Sequence, residues 1–135
     1  AVQVLRSGGM LGVAPEGTRS HHGRLLRGKS GVALVASKVP ETELVPVAVY
    51  GQEMLLRNLR RLRRTRVTVV VGKPFHLRPI TERMTHEVRQ AISDEIMLRI
   101  AGLLPPAYQG LYSGRSVEDH YTVCCHDQPT MGVSA

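Results

Sequence analysis

Met10-Leu11-Gly12-Val13-Ala14-Pro15-Glu16-Gly17-Thr18-Arg19-Ser20 decides how this chain is read. The first five residues are apolar or small, a run of the kind that fills a buried strand. The run stops at a proline, a carboxylate, a glycine and a guanidinium. In open α/β sheets, ligands bind at the carboxyl edge of the strands, where such a segment emerges. Arg19 offers a planar fork of donors that matches phosphate, and Gly17 lets backbone amides approach a ligand. Glu16 can hold Arg19 in place or contact a substrate hydroxyl. An ordinary surface turn with a local ion pair is the other reading of the same tetrapeptide. The stretch predicts a pocket for a phosphorylated substrate built on Glu16, Gly17, Thr18 and Arg19.

Working outward, residues 2–6 followed by Gly8-Gly9 read as a helix end with a glycine stop. Residues 16–28 form a polar loop, and residues 29–38 a short, mostly apolar helix. Residues 44–50 are the next strand, with Pro46 marking an edge or a late start. Strand, crossover helix and strand in that order predict a right-handed parallel βαβ unit. Residues 52–66 are irregular and basic, and residues 66–72 form a third strand rich in Val and Thr. Over residues 81–104, Met84, Val88, Ile92, Ile96 and Ile100 recur every fourth position, in phase with Ile80. That spacing gives a helix one apolar face, and Pro105-Pro106 ends it. Beyond Ala107 the pattern fades, and residues 113–135 read as a mobile tail. The fold class is α/β: a mixed, largely parallel sheet flanked by helices, with a domain over 1–104 and an extension over 105–135.

Eighteen basic residues against eleven acidic ones leave a formal net charge of +7, which favours anionic partners: lipid head groups, nucleic acid or phosphorylated metabolites. No apolar stretch reaches the roughly 18 residues a transmembrane helix needs. Cys124 and Cys125 are adjacent, a spacing that suits neither a structural disulfide nor a zinc site. A polar tail is the better reading of Cys124-Cys125-His126-Asp127, and no metal is expected.

Several blocks together resemble the glycerolipid acyltransferase family, the enzymes that acylate lysophosphatidic acid and glycerol 3-phosphate. They are Pro15-Glu16-Gly17-Thr18-Arg19-Ser20, Gly28-Lys29-Ser30-Gly31, Val45-Pro46-Val47-Ala48-Val49-Tyr50-Gly51, and the strand 67–72 followed by Lys73-Pro74-Phe75. The resemblance spans roughly residues 1–104. It implies an acyl transfer of the 1-acylglycerol-3-phosphate O-acyltransferase type. The acyl group would pass from acyl-CoA or acyl carrier protein to the hydroxyl of a lysophospholipid or glycerol phosphate, with no cofactor. It also implies that Arg19 binds the substrate phosphate and that Pro46 shapes the acyl side of the pocket. The family's catalytic His-x-x-x-x-Asp is missing: the residues at that distance from His21, His22, His76, His86 and His120 are Leu26, Arg27, Thr81, Ala91 and Cys125, and Asp127 directly adjoins His126. The chain is therefore expected to be the C-terminal portion of a longer enzyme, with no catalytic residue of its own and no activity alone.

Residues 23–30 also fit the phosphate-loop pattern G-x-x-x-x-G-K-[ST]. The context opposes a nucleotide site, because Ser20-His21-His22 precedes the loop instead of a strand. Two leucines also stand where backbone must wrap phosphate. Lys29 at a helix start still suits an anion, so it joins the expected phosphate pocket. Six arginines, at 57, 60, 61, 63, 64 and 66, alternate with Leu55, Leu56, Leu59 and Leu62. Such a segment can lie on an anionic membrane, and a solvated loop is the equal alternative. Nucleic acid is not expected, since no aromatic residues interleave to stack on bases. The expected location is cytoplasmic, peripheral to the inner face of the membrane. A non-catalytic module binding anionic lipid is the alternative function, and a nucleotide binder at 23–30 a lesser one.

Overall fold

A computed structural model describes residues 1–18, 20 and 22–125. The elements in chain order are α1 (Val2–Arg6), α2 (Gly31–Ser37), β1 (Val47–Tyr50), α3 (Leu55–Arg60), β2 (Thr68–Val71), β3 (Phe75–Leu77), α4 (His86–Ala101) and β4 (Thr122–Cys124). Short 3-10 turns stand at Gln52–Met54, Pro106–Tyr108 and Gly110–Tyr112.

The helix α4 organises the molecule. Thr85 caps it, its hydroxyl accepting from the Val88 amide at 3.3 Å. It starts later than the apolar stripe does, so Ile80 and Met84 reach the core from an irregular approach and not from the helix. Ile92 and Ile96 pack on Ala33 and Ala36 of α2 and on Phe75 and Leu77 of β3. A four-residue repeat gains about 40° per step on a 3.6-residue helix, so the stripe winds around α4. Ile100, at the stripe's lower end, therefore turns to a second cluster, in which Met97, Leu98 and Ala101 pack around the buried Tyr112.

The sheet is not the parallel one expected. β1 pairs antiparallel with β2, Val47 opposite Val71 and Tyr50 opposite Thr68. β3 pairs antiparallel with β4, Phe75 opposite Cys124, and Leu44 bridges Phe75 on the other side, also antiparallel. Residues 10–14 form no strand. Met10 is 95% exposed, and the Ala14 carbonyl closes a turn onto the Gly17 amide at 3.0 Å. An apolar run becomes a strand only through a ladder partner, and among the described residues none lines up beside it. The βαβ unit is accordingly not formed. What remains is a mixture of helices and two small antiparallel pairs, consistent with part of an α/β domain.

Two features depart from an alternating surface. Val47, Val49, Val69 and Val71 share one face of the β1–β2 pair, and all four are exposed. Residues 105–125 of the extension carry structure: Tyr112 and Thr122 are buried, and β4 completes the β3 ladder, while the rest of the tail, 126–135, lies outside the described residues. The polar composition of this stretch hid that role. Its polar groups are held by α4, where Glu95 accepts from the amides of Tyr121 and Thr122 and from the Thr122 hydroxyl at 2.9, 2.9 and 2.6 Å.

Candidate functional site

The segment 15–30 folds back on itself. The Lys29 amide donates to the Pro15 carbonyl at 2.8 Å, and the Leu26 amide donates to the Glu16 carboxylate at 3.0 Å. Gly17 has φ +64, a left-handed conformation that suits glycine. A Cβ there would meet Cδ, Cε and Nζ of Lys29 at 3.0–3.2 Å. The Lys29 ammonium therefore lies directly over the Gly17 turn. Glu16, Gly17 and Lys29, separate in sequence, are brought together. Thr18 is exposed beside them. Arg19 lies outside the described residues, as do His21, His126 and Asp127. Glu16 accepts from the Leu26 amide, a partner within its own loop; the expected contact with Arg19 lies outside the described residues.

Side chains of α4 and Tyr112 hold this loop. The Gly28 carbonyl accepts from Gln90 Nε2 at 2.8 Å and the Lys29 carbonyl from the Ser93 hydroxyl at 3.0 Å. The Gly28 amide donates to the Tyr112 hydroxyl at 3.1 Å, and that hydroxyl donates to Asp94 at 3.1 Å. Arg27 pairs with Asp94 at 3.7 Å. Burial, reinforced by the Asp94 carboxylate, pushes the Tyr112 phenol above its ordinary value. Gly28 is itself a close approach, since a Cβ would sit 2.5 Å from Met97 Cγ and 2.8 Å from Ser93 Oγ. Gln90, Ser93, Asp94 and Tyr112 are thus supporting residues that no local pattern announced.

These bonds bear on the phosphate-loop pattern at 23–30. A nucleotide loop must keep its amides free for phosphate oxygens. Here the amides of Leu25, Leu26, Gly28 and Lys29 are given to Tyr108, Glu16, Tyr112 and Pro15. The loop is structural, and its Lys29 side chain is what faces solvent.

A surface cleft of about 750 Å³ opens beside the loop, lined by Ser20, His22, Arg24, Leu25, Leu26 and Leu111. The lining joins a cation and polar groups to leucines, a combination suited to an amphiphile. The Tyr108 hydroxyl donates to Glu53 at 2.7 Å, which holds the Glu53 carboxyl below its ordinary value and raises the phenol. Pro46 is elsewhere. It is buried at the start of β1, its carbonyl accepts from the Gly72 amide at 2.8 Å, and it lines a separate cavity of about 240 Å³ with Leu98, Arg99 and Leu103. That cavity shares no lining residue with the Glu16–Lys29 cluster.

The basic segment holds more order than expected. Residues 55–60 are helical as α3, with Leu55, Leu56, Leu59 and Leu62 all exposed at 50–95% among exposed arginines. No helix among the described residues is long and apolar enough to cross a membrane.

Residues 1–50 match the model of a protein family described as Acyltransferase. The matched stretch contains the whole Glu16–Lys29 cluster and ends with β1; β2 and all that follows lie beyond it. Comparisons with curated proteins and with solved structures return no match. Over those first 50 residues the chain is similar to acyltransferases, which points to acyl transfer, with an acyl donor and an acceptor, as its class of chemistry.

Proposed function

We propose that this chain supplies the phosphate-binding part of an enzyme of the 1-acylglycerol-3-phosphate O-acyltransferase type. The acyl group passes from acyl-CoA or acyl carrier protein to lysophosphatidic acid or a related glycerol phosphate lysolipid. The observation that carries this reading is the Lys29 ammonium held over the Gly17 turn, inside the stretch similar to acyltransferases and beside a cleft lined by Arg24 and leucines. In this reading Lys29 and Arg19 clamp the phosphate, and the cleft accepts the first part of the acyl chain. The acceptor hydroxyl is deprotonated by a His-x-x-x-x-Asp pair that these residues do not include. A clamp remote from the reacting atoms contributes to rate by orienting them. With the Arg57–Arg66 segment's exposed leucines, the enzyme works at the inner membrane face, where its acceptor resides.

The test is a titration of the chain with lysophosphatidic acid and, separately, with the monoacylglycerol that lacks only the phosphate. The phosphorylated ligand should bind at least about tenfold more tightly, as expected for one or two charge-assisted hydrogen bonds. Lys29→Ala and Arg19→Ala should each remove about that factor without lowering the melting temperature. Equal affinity for the two ligands, or affinity untouched by Lys29→Ala, would remove the phosphate clamp from this loop.

A further inference from the structure

His76 sits in the middle of β3, on the face of the strand opposite the buried Phe75 and Leu77. Leu44 and Phe75 exchange two backbone bonds of 2.8 and 2.9 Å, which puts Glu43 across the ladder from His76. On the other flank the Cys125 amide donates to the Pro74 carbonyl at 3.1 Å, carrying Cys125 onto that same outer face. Three segments far apart in sequence thus deliver a carboxylate, an imidazole and a thiol to one spot. Their ligand atoms all lie within 4.8 Å of one another. His76 Nε2 is 3.8 Å from the Glu43 carboxylate, and Cys125 Sγ is 3.9 Å from the same oxygen.

The two separations to Glu43 are close to those around a tetrahedral ion. Zinc bonds of about 2.0–2.3 Å place neighbouring nitrogen, oxygen and sulfur ligands roughly 3.3–3.6 Å apart. The two Glu43 separations need a contraction of a few tenths of an ångström, and the His76–Cys125 pair, within 4.8 Å, closes by side-chain rotation, since none of the three side chains is fully buried. We propose that Glu43, His76 and Cys125 bind one divalent transition-metal ion, zinc by preference, with solvent in the fourth position. Thiolate with imidazole selects zinc and its neighbours over magnesium or calcium, which take oxygen ligands. Cys124 is not part of the set: its sulfur accepts from Arg99 on the α4 side. The adjacent cysteines, which read as a poor zinc pair, are divided by strand alternation, and only the second meets the other ligands. The ion would fasten the chain on both flanks of β3, the loop before Leu44 on one side and the end of β4 on the other. This site is independent of the phosphate clamp.

Titration of the full chain with cobalt(II), then zinc(II), in the presence of a reductant tests it. One equivalent of cobalt should bind with a thiolate-to-cobalt charge-transfer band, and zinc should displace it. Cys125→Ser should abolish the band, and Glu43→Ala and His76→Ala should weaken binding at least about tenfold. Cys124→Ser should leave it intact. Circular dichroism of each metal-free variant checks that it folds, with Cys125→Ala as the second variant at the thiol. No charge-transfer band, or a band that survives Cys125→Ser, overturns the site. So does binding that withstands Glu43→Ala and His76→Ala but is lost in His126→Ala, because the metal then belongs to the tail.

Discussion

Gly28 shows how one residue sets the candidate site. Its backbone is bonded on both sides, to Tyr112 through the amide and to Gln90 through the carbonyl. Its missing side chain leaves the space taken by Met97 and Ser93. Gly28→Ala should therefore cost about 1–3 kcal/mol, the usual range for overpacking a filled core. Chemical denaturation with an unchanged m-value would measure it, and lysolipid affinity should fall as Lys29 is displaced. An alanine variant as stable as the parent would mean that α4 does not press on the loop. At this scale Gly28 and Lys29 were legible as a pair worth attention, through their place in an acyltransferase-like block. The reason for the glycine was not, because Met97 and Ser93 lie on a helix far along the chain.

At the scale of elements, α4 and β4 depend on each other. Glu95 is only 6% exposed, yet it accepts three hydrogen bonds from Tyr121 and Thr122. Arg99, one turn on, donates to the Thr122 hydroxyl at 2.8 Å and to Asp119, and its guanidinium lies 4.8 Å from the centre of the Phe75 ring. Glu95→Ala leaves two amides and a hydroxyl without their acceptor, at a cost of about 3 kcal/mol. Amide hydrogen exchange should show β4 released while α2 and the upper half of α4 stay protected. Uniform loss of protection would contradict this, and so would no loss at all. The periodicity of residues 84–100 located α4, because an amphipathic helix writes its packing into local spacing. β4 carries no such pattern. Its attachment is polar, and its partners come from α4 and β3.

For the whole molecule, charge and shape combine. The net charge of +7 is concentrated where six arginines flank the exposed leucines of α3 and its C-terminal turn. Vesicles containing phosphatidylserine should sediment the chain at low salt, and neutral phosphatidylcholine vesicles should not. Replacing Arg60, Arg61 and Arg64 with Gln should reduce binding by about 1 kcal/mol per residue. Raising salt should do the same, with the Debye length shrinking from about 10 Å at 0.1 M. Equal binding to both lipids would leave the segment a solvated helix.

The sequence alone located α1, α2 and α4 and the strands at 47–50 and 68–71, because each is written in neighbouring residues, whereas α3 reads as irregular. It determined the basic segment and the similarity over residues 1–50 to acyltransferases, because those are properties of composition and of contiguous blocks. Only the tertiary structure decided that the strands pair antiparallel and that residues 10–14 join no ladder among the described residues. It alone set the Lys29 side chain over Gly17 with α4 as the support, and it alone joined Glu43, His76 and Cys125. The physical reason is common to all of these. Strand partnership, close approach and ligand convergence are relations between distant residues, and each is settled by which surfaces bury together.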